Sequence, residues 1–266
     1  MTTVLFGTPS VATAQDLGTV AEVLRSFDTE THAKQIVVDR ALYPGPVLER
    51  LLQAGVDTSR PQYLVVVDRN PSVQALLIYL NSGDGHLEFI GAAPVSTGLP
   101  TSFDHFDTPE GVFGHTPENP DFRAEGTRNE NGIRGYGVRG MRVFDLGWQQ
   151  SSGWPKGRIA TMRLQMHATD PGRLESRLGS AQSKGCIRIP ASVNAWLDLH
   201  GILDAAYDAL PSTDRRRWVL RQDRSVVAHA GQYVIVLDSG KLLRDTNVPT
   251  PSLTGRDAVG TDLQGD

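Results

Sequence analysis

Cys186 is the only cysteine in the 266 residues. One thiol excludes an internal disulfide and any metal site built on two or more thiolates. A lone cysteine is either a small buried hydrophobe or a reactive thiol, and its neighbours decide which. The segment around it reads Gln182-Ser183-Lys184-Gly185-Cys186-Ile187-Arg188-Ile189-Pro190, and His167 stands 19 positions upstream. A free thiol has a pKa of roughly 8.5, so little of it is thiolate at neutral pH. His167 is a candidate base, and general-base help is worth about 10²–10⁴ in rate. Lys184 and Arg188 flank the thiol with positive charge, which favours the thiolate if they point inward. Gly185 permits close approach of a substrate to the backbone. Its N–H and that of Cys186 are candidate donors to a tetrahedral oxyanion, each worth roughly 10²–10³. Together these residues suit attack on an acyl carbon and transfer of the acyl group through a thioester.

Each of these residues also has a plainer reading: a strand-end histidine for His167, a solvated loop charge for Lys184, a structural ion pair for Arg188. Other groups could do chemistry and are set aside. His105 and His115, with Asp104 and Asp107, match no metal-ligand spacing and read as polar loop. Gly135-Tyr136-Gly137-Val138-Arg139-Gly140 spells G-x-G-x-x-G, but a dinucleotide site needs a strand before it and a helix after it. Arg128–Arg134 is polar and Met141–Trp148 is not helical, so these are loop glycines. Arg215-Arg216-Arg217 reads as a solvated face. Trp148 and Trp154 either line a groove or pin a loop.

The thiol and its base need a scaffold. Ile159–His167 alternates, with Ala160, Met162, Leu164 and Met166 apolar and Thr161, Arg163, Gln165 and His167 polar. Period two predicts a strand whose second set faces away from the core, so His167 points to solvent or a cleft. Cys186–Ile189 is a short β-like run. Pro190 opens a helix with Val193, Trp196 and Leu197 on its apolar stripe, stopping near Gly201. Upstream strands are expected at Tyr63–Val67, Ala75–Leu80, Leu87–Val95 and Val112–Phe113, and later ones at Val226–Val227 and Tyr233–Leu237. A helical piece is expected over Leu203–Leu210. Apolar residues recur at helical spacing at Leu17, Val20, Ala21, Leu24 and Phe27, and again at Leu48, Leu51 and Leu52, with Gly55 as a stop. Residues 114–158 are rich in Gly, Asn, Arg and Pro and suggest a lid-like loop, with a strand inside it at Val138–Phe144.

Bulk properties narrow the function. The formal net charge is -4, a poor match to nucleic-acid backbone binding. No apolar run approaches the roughly 20 residues that span a bilayer. Hydrophobic residues make up 39%, enough for a sizeable core. Ala12-Thr13-Ala14 after Val4-Leu5-Phe6 resembles the end of an export signal, although a basic n-region is lacking.

The motifs resemble the L,D-transpeptidase catalytic domain, the YkuD-like family. His167-Ala168-Thr169 corresponds to the family's His-Gly-Thr/Ser element, and Ser183-Lys184-Gly185-Cys186-Ile187-Arg188 to its Ser-His-Gly-Cys element. Pro94-Val95-Ser96-Thr97-Gly98 and Thr108-Pro109-Glu110-Gly111-Val112-Phe113 look like the two upstream elements, in matching order over roughly Gln62–Asp238. Lys184 replaces the usual His, and Ala168 the usual Gly. The resemblance implies a mainly β fold with flanking helices, a YkuD-like β-sandwich preceded by a small helical N-terminal segment. With the residue patterns above, the chain is expected to divide into 1–14 as a possible remnant of an export signal, 15–58 as a helical attachment, 59–240 as the catalytic domain and 241–266 as a flexible tail. The resemblance implies a Cys186 thioester with a peptidoglycan stem tetrapeptide, His167 as base, Ser183 near the thiol and Arg188 as a conformational or carboxylate contact. No metal or organic cofactor is implied. The acceptor is a second stem, a lipoprotein or water, and the compartment is the periplasm or cell envelope. Water as acceptor makes the chain an L,D-carboxypeptidase or endopeptidase. A catalytically silent peptidoglycan-binding module and a metal-dependent amidase at His105 and His115 are the rivals from other classes.

Overall fold

The computed structural model describes residues 18–32, 36–155 and 157–245. The expected export-signal remnant at 1–14 and most of the expected tail lie outside them. The fold is mainly β with a few helices, built on two sheets. Helix α1 (Val20–Thr31) and helix α2 (Pro44–Gln53) come first. Strands β1 (Gln62–Asp68), β2 (Ala75–Asn81), β3 (Leu87–Pro94) and β4 (Gly111–Gly114) follow. Next are β5 (Phe122–Arg123), β6 (Arg142–Gly153), β7 (Arg158–Ala168) and β8 (Ile187–Ile189). Helices α3 (Ala191–Leu199) and α4 (Ala205–Asp208), strand β9 (Tyr233–Leu237) and helix α5 (Ser239–Asp245) complete the described chain.

The first sheet has the order β3-β2-β1-β9-β4, and the second β5-β6-β7-β8. β1 pairs with β9, and β7 with β8, in parallel; all other pairs are antiparallel. The first sheet is buried on both faces, which is why β1 and β2 read as continuous apolar runs. Val65, Val67, Leu76 and Ile78 face the main core, shared with Leu164, Met166, Ile187 and Ile189 of the second sheet and with Trp196 of α3. Leu64, Val66, Leu77 and Tyr79 face a second cluster under Tyr43, Val47 and Leu51 at α2.

Helix α1 starts with a capping box. Thr19 Oγ1 accepts from the Glu22 N–H, and Glu22 accepts from the Thr19 N–H. Its Phe27 meets Trp196 edge-on at 5.1 Å, and Trp196 Nε1 donates to Ser26 Oγ. The helical N-terminal segment is thus joined to the main core.

Several expectations change in the structure. The strand inside the 114–158 stretch is Arg142–Gly153, twelve residues long, so much of the expected loop is sheet. The helix expected over Leu203–Leu210 is a single turn, Ala205–Asp208. Val226–Val227 forms no strand; the Val227 N–H pairs with the His200 carbonyl as a lone contact. The 135–140 glycine run is a turn that leads into β6, not a helix, so the loop reading of those glycines holds.

His115 lies in the loop after β4, but it is not solvated. It is fully buried, with Nδ1 2.9 Å from the Leu203 carbonyl oxygen and Nε2 2.8 Å from Asp121. Asp121 also accepts from the buried Arg142 Nε at 2.6 Å, and Arg142 lies 2.7 Å from Asp204. Burial alone would raise the Asp121 carboxyl, but His115 and Arg142 outweigh it and hold it below its usual range. Removing one partner leaves buried charge uncompensated. Asp121→Ala is therefore expected to cost about 3–5 kcal/mol in urea denaturation. A loss under about 1 kcal/mol would contradict this, since that is the scale of a surface ion pair.

Candidate active site

Cys186 immediately precedes β8, and His167 lies next to the end of β7. The parallel register puts Arg188 opposite His167 and Ile187 opposite Met166. Cys186 therefore stands at the level of Gln165, two register positions from His167. Period two places Cys186, Arg188, Gln165 and His167 on one side of the sheet. The opposite side carries Leu164, Met166 and Ile187, all in the main core.

The face assignment read from the alternation holds, but the exposure does not. His167 is only 5% exposed. Tyr136, from the glycine-rich turn before β6, covers it, with ring centroids 4.7 Å apart at 65°. Burial pushes His167 down to about 4, assisted by the Arg188 cation and opposed by its hydrogen bond to Ala168. The Nδ1 atom lies 2.7 Å from the Ala168 carbonyl oxygen. A carbonyl can only accept, so Nδ1 carries the proton and Nε2 of the neutral ring is left as the proton acceptor.

Cys186 is half-buried. Burial pushes its thiol above the ordinary range; a backbone hydrogen bond from Gln165 and the Arg188 charge pull down, and Asp145 pushes up. The Sγ lies 3.7 Å from the Arg163 carbonyl oxygen, which accepts its proton weakly. With the thiol raised and the imidazole lowered, each group is neutral at neutral pH.

The loop carrying the thiol is stitched to the upstream motifs. The Ser96 N–H donates to the Arg188 carbonyl, and the Arg188 N–H donates to that of Ser96, both at 2.9 Å. The Ser183 N–H donates to the Thr97 carbonyl, and the Leu99 N–H to that of Ser183. Thr108 Oγ1 accepts from the Gly98 N–H at 2.8 Å and donates to the Gly185 carbonyl at 2.7 Å. A Cβ at Gly98 would sit 2.1 Å from the Phe106 carbonyl oxygen, so only glycine fits this crossing. Gly185 has φ +134, outside the range that side chains favour.

Ser183 Oγ donates to the Cys186 carbonyl at 2.5 Å and accepts from the Gly185 N–H at 3.0 Å. That corrects one expectation: the Gly185 N–H is already used inside the loop and is not an oxyanion donor here. The N–H of Cys186 itself remains, with no protein acceptor among the described residues. Lys184 is exposed, and its side chain has no ion pair among the described residues. Arg188 is half-buried, and among the described residues its guanidinium has one polar contact, 3.5 Å from Nη1 to the Gln182 carbonyl oxygen. It lines a small cavity with Ser96, Arg177 and Thr169, whose buried hydroxyl has no partner among the described residues.

Residues that the motif reading passed over complete the site. Tyr136 donates to Gln165 Oε1, and Gln165 Nε2 donates to Asp145 at 3.0 Å. Arg163 Nε donates to the same carboxylate at 2.9 Å, and its guanidinium lies 5.4 Å from the Trp148 ring centroid. Arg163 and Gln165 were legible as the polar partners of His167 in the alternation. Nothing in the sequence marked Asp145 or Tyr136. Among the described residues no group of three or more His, Cys, Asp or Glu is placed to hold a metal, and no helix is long and apolar enough to cross a membrane.

No family model and no curated protein matches the chain. Among solved structures it is similar to the helical cell shape determining protein Pgp2 from Campylobacter jejuni. The identity is 16% and the TM-score 0.33, over 68% of this chain and 51% of that one. A point mutant of the same protein gives 16%, 0.31, 76% and 57%. The chain thus spans little more than half the length of these structures, and at such scores no property passes from them to this chain.

Linkage gives a test of the buried imidazole. An unfolded histidine binds a proton near pH 6.5, whereas folded His167 does so only near 4. Between those values the unfolded chain holds more protons at this site, so stability falls as pH falls through the window. His115 acts in the opposite sense, because Asp121 outweighs burial and raises it. The comparison is therefore of the parent with His167→Asn. Denaturation from pH 7 to 4 is expected to show a shallower stability loss in the variant. Equal slopes would contradict a neutral, buried His167.

Proposed function

We propose that the chain is an L,D-transpeptidase-like enzyme of the YkuD-like type, acting on peptidoglycan stem peptides through a Cys186 thioester. The observation that carries this is the β7–β8 register, which sets Cys186 and His167 two positions apart on one face, with the His167 Nδ1 proton tied to the Ala168 carbonyl. Two packed sheets with flanking helices are compatible with the β-sandwich that the motif resemblance implies.

In this reading His167 Nε2 takes the Cys186 proton as Sγ attacks the carbonyl carbon of the third stem residue. The oxyanion accepts from the Cys186 N–H. The intermediate collapses, the C–N bond breaks, and the departing D-alanine amine takes the proton from His167. An acceptor amine then loses its proton to His167 and attacks the thioester, and the thiol leaves protonated. Arg188 lowers the cost of the thiolate, and with no carboxylate partner among the described residues it is suited to a substrate carboxylate. No step requires a metal or organic cofactor. The site belongs, in this reading, to an exported envelope protein, with a second stem or a lipoprotein as amine acceptor. Water in place of the amine makes the same site an L,D-carboxypeptidase or endopeptidase.

The test is product mass analysis of a disaccharide tetrapeptide of the diaminopimelate type, with the parent protein and Cys186→Ala. Loss of D-alanine by the parent alone is expected, with dimers marking transfer and tripeptide monomers marking hydrolysis. A folded, reduced parent that leaves the tetrapeptide unchanged would contradict the proposal and favour a silent binding module.

A further inference from the structure

Beside the thiol, at the same level of the second sheet, lies a polar cluster that no motif covers. Asp145, on β6, is nearly fully buried. Its carboxylate accepts from Arg163 Nε with both oxygens, at 3.0 and 2.9 Å, from Gln165 Nε2 at 3.0 Å and from the Gly147 N–H at 2.9 Å. Its own N–H donates to Asp121 at 2.9 Å, which ties it to the buried His115 and Arg142 pairs. Of the two residues it grips on β7, Gln165 stands at the level of the thiol and Arg163 two positions before it.

The polarity of this cluster is fixed by chemistry. A carboxylate can only accept, so the Gln165 amide must present its NH₂ to Asp145 and its oxygen to Tyr136. Tyr136 can then donate its hydroxyl, at 3.1 Å, and its ring is held against His167. On the other arm, the Asp145–Arg163 pair anchors the residue whose carbonyl receives the Cys186 thiol. One buried carboxylate is thus linked to both Cys186 and His167, and touches neither.

We propose that Asp145 is a positioning residue of the thiol site. Through Gln165 and Tyr136 it sets the His167 ring, and through Arg163 it sets the carbonyl against Cys186. This rests on the reading of Cys186 and His167 as nucleophile and base. Displacements of about 1 Å in such pairs cost on the order of 10²-fold in rate. The charged and titratable groups around the thiol are Asp145, Arg163, Arg188, His167 and Tyr136. Neutralising Asp145 removes the anion that opposes ionisation and frees the Arg163 cation, and both changes favour the thiolate.

The experiment compares the parent, Asp145→Asn and Gln165→Leu in two assays. One is the pH dependence of Cys186 alkylation by iodoacetamide, which needs no substrate. The other is kcat and KM for D-alanine release from the tetrapeptide. Asp145→Asn is expected to move the alkylation midpoint to lower pH and yet cut kcat by about ten- to hundred-fold, with KM changed less than about threefold. A thiol that ionises more readily but turns over more slowly is not the signature of a merely loosened fold. Gln165→Leu keeps every charge, so its midpoint is expected to stay with the parent while kcat falls about tenfold. A folded Asp145→Asn protein with the parent's midpoint and kcat would overturn the proposal. If that variant does not fold, a Gln165→Leu protein with the parent's kcat overturns it. A parent without turnover whose alkylation midpoint still shifts in Asp145→Asn would sink the transpeptidase reading while leaving Asp145's hold on the thiol in place.

Discussion

The parallel pairing of β8 with the end of β7 is the constraint on which the site depends, because it alone decides which residues face the thiol. It sets Arg188 against His167 and Cys186 at the level of Gln165. Only three residues form β8, and a strand this short has little pairing of its own. The reciprocal bonds between Ser96 and Arg188 hold its other edge, and the Thr108 hydroxyl ties Gly98 to Gly185. The upstream motifs therefore act on the thiol from a distance in sequence: they clamp the loop that carries it. The clamp needs backbone contact closer than any side chain allows at Gly98, which accounts for glycine there.

Electrostatics within this frame favours a neutral resting state. Burial acts in opposite directions on an acid and a base, raising the thiol and lowering the imidazole. Both groups therefore rest uncharged. The Arg188 cation lowers both, easing thiolate formation and opposing imidazolium. The loop adds a second restriction. Ser183 spends its hydroxyl on the Cys186 carbonyl and the Gly185 N–H, which fixes the turn but withdraws one backbone donor from the substrate. Stabilisation of an oxyanion then falls on the Cys186 N–H.

What the sequence disclosed follows from how local each signal is. The strands β1, β2, β3 and β9 were legible because apolar runs bounded by turn residues carry their own punctuation. The face of β7 was legible because alternation is local, and it put Arg163, Gln165 and His167 together. The burial of His167 was not, since its cover, Tyr136, lies 31 residues upstream in a glycine-rich turn. Much of 114–158 read as loop because β6 carries Asp145, Gly147, Gln149, Gln150 and two serines, a composition strands normally avoid. Asp145 and Gly147 are explained by the carboxylate cluster that they help to build. His115 read as a polar loop residue for the same reason: its partners Asp121 and Leu203 meet it only in the folded chain.

The most direct test of Cys186 as a covalent nucleophile is to trap the acyl-enzyme. The reduced protein would be mixed with the tetrapeptide donor, quenched in acid within seconds, and analysed by intact-protein and peptide mass spectrometry. The account predicts a mass gain equal to the donor without its terminal D-alanine, located on the peptide that contains Cys186 and slow to form in His167→Asn. Release of D-alanine with no adduct on Cys186, or with an adduct elsewhere, would contradict it.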